Sequence, residues 1–398
     1  MELVKKRHTA IKKYWKVFAL SLLILVLIGY QLYWLCLGVL FVFLLRVVFS
    51  FLFKCIKNKL LLQLTKGFSF FLIIFMLSIG AKLFVFGVFK IPSSSMENTL
   101  YPNDVILVNK IVYGPSLPTT PFEIPWVNFL FYLHEQSRAK LDKQWWKPRR
   151  FSGIATVEQG DVLVFQETRT FFVVKRCVGI PGDTIEISKG KVHINHTVFN
   201  APATVKNKYK LTVTDKELFY ANLDSLQIES SLQPSATFNN QLVGFFAKSE
   251  YAQLKELASV ATIEQSIDSN VNQEDLFLEK NIFNWSIDTM GPFIIPKIGL
   301  KIQLNDFTYN VYKKTLEFFE GVTIENESGY FYVNGKVATE YVFKKDYIFV
   351  LGDHRNNSKD SRYTGFVPFE TVVGKVQYVL YSNYNEQFHW ERLFKKVV

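Results

Sequence analysis

The chain has 398 residues, of which 49% are hydrophobic and 20% charged, a composition that excludes a disordered protein. Its formal charge of +11 is uneven, because the first 90 residues contain 13 Lys and Arg and a single acid, Glu2. The excess positive charge therefore accompanies hydrophobic segments, and nucleic acid is not expected as a partner. The three cysteines, Cys36, Cys55 and Cys177, fit neither a disulfide framework nor a zinc site.

The N-terminal part is rich in long apolar runs. In residues 17–53 Arg46 is the only charge, and as one helix this run would be about 55 Å long, nearly twice the roughly 30 Å hydrocarbon core of a bilayer. We therefore expect two transmembrane helices that turn near Gly29–Tyr33. Residues 67–89, interrupted by Lys82, predict a third. A cleaved signal peptide is the competing interpretation, but the run is too long for one and lacks a small-residue cleavage site.

The basic residues beside these helices predict their orientation. Residues 1–16 contain six Lys and Arg, and residues 54–66 contain four lysines. Under the positive-inside rule, the first segment is a cytoplasmic N-terminus and the second a cytoplasmic loop. Three passes then carry everything from Lys90 onward to the external, periplasmic side of a bacterial cytoplasmic (inner) membrane.

The remaining chain is expected to be mostly β. Short runs rich in Val, Ile and Phe predict strands at 105–112, 162–165, 171–178, 184–187, 191–194 and 347–351. Asn334-Gly335 predicts a hairpin turn. Residues 202–340 are more polar, with a helical pattern near 251–258, and predict an inserted α+β subdomain between two parts of a β domain, 90–201 and 341–398. The apolar segment Trp126–Leu133 fits either a core position or the bilayer surface.

Three segments carry residues capable of chemistry. Residues 91–100 read IPSSSMENTL, residues 173–183 read VVKRCVGIPGD, and residues 352–362 read GDHRNNSKDSR. Lys175 lies inside an apolar strand, where a lysine must snorkel, pair or lose its proton. A neutral amine is a general base, which a serine hydroxyl needs in order to attack a carbonyl.

These segments, in this order, resemble the conserved boxes of bacterial signal peptidase I, a membrane-bound serine protease that removes signal peptides. The first resembles its P-S-x-S-M-x-P-T-L box, the second its K-R-x-x-G-x-P-G-D box and the third its G-D-N-R-x-N-S-x-D-S-R box. Residues 160–165, GDVLVF, match a shorter box. The resemblance implies a β-rich catalytic domain of the signal peptidase type, here with a three-pass anchor where well-known members have one or two passes.

The resemblance also implies roles for individual residues. Ser95 would be the nucleophile and Lys175 the general base. Ser93 would contribute its hydroxyl to the oxyanion hole, together with the Ser95 backbone N–H. Ser358 would orient the lysine, the role that aspartate has in a Ser-His-Asp triad. Two structural ion pairs are implied as well, Arg176 with Asp353 and Asp360 with Arg362.

Two positions depart from the family pattern, and each raises a question. Asn98 stands where the family usually has proline, which would loosen the turn after the nucleophile. His354 stands where asparagine is usual, and beside Asp353 it raises the alternative of a Ser-His-Asp protease. Adjacent residues of an extended segment face opposite sides, which disfavours that alternative. His193 and His196 suggest a metal site only weakly, and surface is the preferred interpretation.

The expected function is that of signal peptidase I, a membrane-bound serine endopeptidase that cleaves N-terminal signal peptides from exported proteins with a Ser/Lys dyad. The expected partners are signal peptides with small residues before the cleavage site, together with the lipid bilayer. No cofactor or metal is expected. A processing protease with few substrates and a non-catalytic membrane-anchored scaffold remain as alternatives.

Overall fold

A computed structural model of the chain describes residues 15, 18–119, 123–124, 146, 149–168, 171–228, 232–234, 240–268 and 283–398. Apart from Trp15, the expected cytoplasmic N-terminus 1–16 lies outside the described residues, as does the apolar segment Trp126–Leu133. The chain divides into two compact units. Unit 1 comprises 1–87 and 109–156, and unit 2 comprises 88–108 and 157–398.

Unit 1 is built on apolar helices: α1 (Phe18–Gly29), α2 (Tyr33–Cys55) and α3 (Lys59–Gly80), the last continued by a π-helical turn, Ala81–Val85. Within the described residues, the stretches Tyr33–Cys55 and Lys59–Val85 are long and apolar enough to cross a membrane. The helix α1 spans about 18 Å at 1.5 Å per residue, short of the roughly 30 Å that a bilayer core requires. Two candidate spans are thus present, and a third is not confirmed.

The helix boundaries agree with the expectation at the first turn and differ from it in two later places. The chain turns between α1 and α2 at Tyr30–Leu32, where the apolar run was expected to turn. The expected loop 54–66 is mostly helical, because the Asn58 side chain accepts hydrogen bonds from the Leu60 and Leu61 N–H groups and so caps α3 early. The third apolar segment ends as a helix at Val85, and the following residues form a strand.

The later residues of unit 1 pack on its helices. Trp34 stacks on Phe151 with ring centroids 5.7 Å apart, and Phe84 completes the aromatic cluster. The Lys110 ammonium donates hydrogen bonds to the Lys82 and Leu83 carbonyls at 2.9 and 3.1 Å. A cation at this position stabilises the C-terminal end of a helix, where carbonyls lack partners.

Unit 2 is mostly β, and the strands of the chain are β1 (Phe86–Lys90), β2 (Asp104–Asn109), β3 (Val162–Gln166), β4 (Phe172–Gly179), β5 (Thr184–Ser188), β6 (Lys191–Ile194), β7 (Thr197–Val198), β8 (Lys206–Val213), β9 (Gln233–Pro234), β10 (Gln241–Ala247), β11 (Val260–Gln265), β12 (Met290–Ile294), β13 (Lys301–Gln303), β14 (Ile324–Glu327), β15 (Tyr330–Val333), β16 (Lys336–Val337), β17 (Glu340–Val342), β18 (Tyr347–Leu351), β19 (Val367–Pro368), β20 (Val372–Ser382) and β21 (Lys395–Lys396). Within the described residues of this unit, four α-helices accompany the strands: α4 (Lys216–Leu226), α5 (Lys248–Lys255), α6 (Asp306–Thr315) and α7 (Ser361–Thr364).

The largest sheet has the order β1-β2-β20-β3-β4-β18-β19, with β21 paired to β20. The strand β4 is central to the candidate chemistry, because it lies between β3 and β18 and places Lys175 opposite Leu163. The residues of β18 are all buried, as expected from their uninterrupted apolar sequence. The mostly-β fold expected from the sequence is therefore present.

The segment 202–340, expected to be one insertion, consists of two parts. The strands β8, β9, β10 and β11 form their own sheet, and its apolar residues pack with α4 and α5 into a separate core cluster. The strand β12 instead pairs with β5, and β13 pairs with β17. Residues such as Met290 and Val311 share one core with Ile185 and Phe349 of the catalytic part. Only the first part is therefore a separate insertion.

Several local predictions are confirmed. The strands expected at 162–165, 171–178, 184–187, 191–194 and 347–351 are present within a residue or two of their expected ends. Asn334 and Gly335 both have positive φ, and Val333 pairs with Lys336 across them, as in a tight hairpin. The helix expected near 251–258 begins earlier, because the Glu250 carboxylate accepts a hydrogen bond from the Ala247 N–H and caps its start.

Candidate active site

Ser95 lies in the turn that connects β1 to β2. Hydrogen bonds from the Ile91 N–H to the Asp104 carbonyl and from the Asn103 N–H to the Ile91 carbonyl, both 2.8 Å, close the base of this connection. Met96 and Leu100 are fully buried in the adjoining core, while Ser93 is exposed and Ser95 half-buried. Apolar anchors thus hold the turn and leave its serines accessible.

Lys175 meets Ser95 although the two residues are 80 positions apart in the chain, since its Nζ lies 2.7 Å from the Ser95 Oγ. The lysine is 4% exposed. Among the described residues no carboxylate lies within ion-pair distance of its amine. This buried amine therefore has a serine hydroxyl as its hydrogen-bond partner in place of a countercharge.

Burial lowers the pKa of the Lys175 amine below its ordinary value, because the charged form is poorly solvated in the protein interior. The negative charges of Asp360, Glu167 and Asp353 oppose this shift at longer range. A lowered pKa increases the neutral fraction of the amine near pH 7, and only the neutral form can accept a proton.

Ser93 lies beside the Ser95 hydroxyl, with the two Oγ atoms 3.3 Å apart. Within the described residues the backbone N–H of Ser95 makes no hydrogen bond, so it is available to a bound oxygen. The Ser93 hydroxyl and the Ser95 N–H are the two donors that the expected oxyanion hole would use.

Ser358 does not make the contact that the resemblance implies. Its Oγ is buried and has no hydrogen-bond partner among the described residues, and no hydrogen bond joins it to Lys175. It packs instead against Gly352, where an added Cβ would meet the Ser358 side chain and would lie 2.7 Å from the Ser95 carbonyl oxygen. The hydroxyl of Ser358 is therefore close to the Ser95 turn without being bonded to the lysine.

The two implied ion pairs are present and fully buried. The Arg176 Nε and Nη2 donate to the Asp353 carboxylate at 2.8 and 2.7 Å. The Arg362 Nε and Nη2 donate to Asp360 at 2.8 and 2.9 Å, and Asp360 also accepts a hydrogen bond from the Gly352 N–H. The first pair connects β4 to the end of β18, the second stays within the loop that follows β18, and neither contains the atoms expected to react.

The two departures from the family pattern have structural explanations. Asn98 has a φ of +70°, a left-handed conformation that asparagine tolerates and that proline, fixed near −65°, cannot adopt. The His354 side chain faces Glu97, with its Nδ1 3.0 Å from the Glu97 Oε2, while its backbone N–H donates to the Ser95 carbonyl. Among the described residues the imidazole makes no hydrogen bond to the Ser95 hydroxyl, and the Ser-His-Asp arrangement is not formed.

Two residues near the turn were not predicted from the sequence. Lys206, from β8, lies 3.3 Å from the Glu97 carboxylate, and the Thr204 hydroxyl lies 2.9 Å from that of Thr99. The acidic residue after Met96, Glu97, could have indicated that a basic side chain would lie nearby. Nothing in the local sequence indicated which cation that would be.

The chain is similar to known proteins over most of its length. The model of the family "Signal peptidase, peptidase S26" matches residues 64–289 and 324–381, well over half of the chain. Signal peptidase I of Buchnera aphidicola subsp. Baizongia pistaciae is 26% identical over 337 residues, covering 84% of this chain and 79% of its own. That of Aquifex aeolicus is 23% identical over 296 residues, 74% and 75% of the two chains.

Shorter and more distant matches have the same description. Signal peptidase I of Pseudomonas aeruginosa is 32% identical over 136 residues, 34% of this chain and 38% of its own. A crystal structure of a signal peptidase I from Enterococcus faecalis V583 covers 55% of this chain and 96% of its own at 15% identity, with a TM-score of 0.20, too low to support a structural conclusion.

The fold and the family match define a serine endopeptidase with apolar N-terminal helices. The chain belongs to the signal peptidase family, peptidase S26. Its activity is that of a signal peptidase I.

Proposed function

We propose that the chain releases signal peptides from exported proteins with Ser95 as nucleophile and Lys175 as general base. The observation that carries this proposal is the 2.7 Å separation of the Lys175 Nζ and the Ser95 Oγ at a buried amine. Burial supplies the lowered pKa that a lysine base requires.

In this mechanism the Ser95 hydroxyl gives its proton to the neutral Lys175 amine as its oxygen bonds to the carbonyl carbon of the scissile peptide. The Ser93 hydroxyl and the Ser95 N–H donate to the oxyanion that forms. The lysine then returns the proton to the departing amine of the mature protein. A water molecule, deprotonated by the same lysine, hydrolyses the resulting ester and restores the serine.

The sheet offers a place for an extended substrate. The strand β18 pairs with β4 only from Arg176 to Gly179, whereas β3 pairs with it from Phe172 to Arg176. Among the described strands none occupies the other edge of 172–175, next to Lys175. A cleavage segment added at that edge would be held by backbone hydrogen bonds, and small side chains before the scissile bond would suit it. Lys175 would then lie beside the scissile bond.

We also propose that the apolar helices anchor the enzyme in the cytoplasmic (inner) membrane, with the catalytic part on the external side. Ten basic residues in 1–16 and 54–66 support this orientation. The lipid bilayer is then a partner as well as the signal peptide.

The nucleophile is tested by two substitutions in the same turn. Ser95→Ala should abolish cleavage of a synthetic signal-peptide substrate, with the purified protein still folded, because it removes the attacking oxygen. Ser94→Ala is the matched control and should retain most of the activity, because its hydroxyl does not contact Lys175. Substantial activity in Ser95→Ala, or equal loss in both variants, would contradict the assignment.

A further inference from the structure

A cluster of titratable side chains surrounds Glu97, two residues after Ser95 in the same turn. It consists of Glu97 from the turn, Lys206 from the first strand of the insertion, and His354 from the loop after β18. The Lys206 Nζ is 3.3 Å from the Glu97 Oε1, and the His354 Nδ1 is 3.0 Å from its Oε2. The side chains of Lys206 and His354 are only 6% and 8% exposed. The two oxygens of one carboxylate therefore each lie close to a nitrogen atom from another segment.

The same two segments contact the turn at further points. From the loop after β18, the His354 N–H donates to the Ser95 carbonyl at 3.1 Å, and the Asp353 N–H approaches the Met96 Sδ at 3.4 Å. From the insertion, the Thr204 hydroxyl meets the Thr99 hydroxyl at 2.9 Å. The two segments thus hold the turn between Ser95 and Thr99, and Glu97 is the residue whose side chain both segments approach.

The two segments are also joined to each other through their backbones. The Lys206 N–H donates to the Asp353 carbonyl at 2.8 Å, and the Arg355 N–H donates to the Lys206 carbonyl at 3.0 Å. This pairing places the Lys206 side chain at a defined distance from the turn. The first strand of the insertion is therefore continuous, through hydrogen bonds, with the loop that supports the nucleophile.

We propose that Glu97, Lys206 and His354 are positioning residues for the reaction, through which the insertion holds the Ser95 turn in its reactive geometry. The inference rests on the proposed role of Ser95. The three residues do not contact the reacting atoms. They fix the carboxylate two positions after the nucleophile, and so restrict the movement of the Ser95 hydroxyl relative to the Lys175 amine.

The surroundings of the cluster favour this role. Glu97, Lys206 and His354 line one wall of a cavity of about 490 Å³, whose other walls include Leu223 and Phe245 of the insertion. The contacts of Glu97 with Lys206 and His354 therefore lie where the turn borders this cavity. Misplacing a catalytic group by about 1 Å can reduce a rate about 100-fold, which makes such support consequential.

The test uses Glu97→Gln, Lys206→Met and the double variant in the full-length, detergent-solubilised enzyme, with steady-state cleavage of a signal-peptide substrate. We expect kcat to fall about 10- to 100-fold in each single variant while KM changes less than about twofold, since geometry at the reacting atoms is affected and not substrate binding. The double variant should be no slower than the slower single one, because both remove the same contact.

Two further variants separate positioning from general damage. Lys206→Arg keeps the charge, and the adjoining cavity has room for it, so it should recover most of the kcat lost in Lys206→Met. Lys210→Met, an exposed lysine on the same strand, is the matched control and should behave as the wild type. The positioning role is overturned if kcat is unchanged in Glu97→Gln, if the two losses simply multiply, or if Lys206→Arg is as slow as Lys206→Met. The Ser95→Ala result is independent of these outcomes, so a failure of the nucleophile assignment is distinguishable.

Discussion

Gly352 lies close to the Ser95 turn, so Gly352→Ala tests whether tight packing at this position holds the turn in place. A Cβ at this position would lie inside van der Waals contact of the Ser358 Cβ and Oγ, and 2.7 Å from the Ser95 carbonyl oxygen. The backbone angles of Gly352 do not require glycine, because it is absent from the residues with positive φ. Lack of space is therefore the reason for glycine here.

The expected changes in the free energy of unfolding and in kcat depend on which of the close atoms can move. Overpacking of a buried site typically costs about 1–3 kcal/mol, and we expect the upper part of that range because one of the three close atoms belongs to the backbone. Relief of that contact must shift the Ser95 carbonyl, and with it the serine hydroxyl relative to the Lys175 amine. We therefore expect kcat to fall at least about tenfold.

Two assays and one second-site variant separate these effects. Urea unfolding of the detergent-solubilised protein reports the free energy of unfolding, and cleavage of a signal-peptide substrate reports kcat. Ser358→Gly removes both side-chain atoms that an alanine at 352 would meet. In that background the added methyl should cost about 1 kcal/mol less than in the wild type, because two of the three close contacts are gone, while kcat stays depressed by the remaining contact with the Ser95 carbonyl.

The reasoning would be refuted by either of two results. Unchanged stability and activity in Gly352→Ala would show that the site has room for a methyl group. Equal destabilisation by the methyl with and without the Ser358 side chain would show that the two residues do not interact.

Four other predictions follow from the sequence and the structure. Lys175→Arg should be inactive because guanidinium stays protonated. Wild-type activity should rise with pH through the lowered Lys175 pKa, because only the neutral amine accepts the Ser95 proton, and an ascending limb that vanishes in His354→Ala would transfer the base role to histidine. Ser93→Ala should lower kcat by about 10²–10³ with little change in KM, and an equal loss in binding of an uncleaved substrate analogue would instead indicate a structural role. A reporter fused after Asn58 should read cytoplasmic and one fused after Ala139 external, and external placement of the first would refute the proposed orientation.

Much of the secondary structure could be predicted from the sequence because it depends on residues that are adjacent in the chain. Apolar runs rich in Val, Ile and Phe predicted the strands on either side of the site, and Asn334-Gly335 predicted a hairpin since both residues accept positive φ. Lys175 stood out because a lysine inside an apolar strand must lose its charge or find a partner. The family's motifs then indicated Ser95 as that partner, and the two atoms are 2.7 Å apart.

The boundaries of helices and of the insertion were harder to predict where a single capping side chain or a single strand pairing determines them. Capping by Asn58 starts α3 inside what composition suggested was a loop. The polar segment 202–340 looked uniform, yet β12 and β13 pair with strands of the catalytic part, and only the strands from β8 to β11 form a separate core. The composition of a segment describes all of its residues together. It does not show which of its strands pair with strands elsewhere in the chain.

The contacts between distant segments were decided by the tertiary structure alone. The apolar strand around Lys175 indicated the lysine, and the resemblance to the family indicated the serine. The sequence did not show that Lys206 would reach Glu97, that His354 would face the same carboxylate, or that the Ser358 hydroxyl would lack a partner. Such contacts depend on the register of strands that are far apart in the chain. That register cannot be predicted from the residues adjacent to each contact in the sequence.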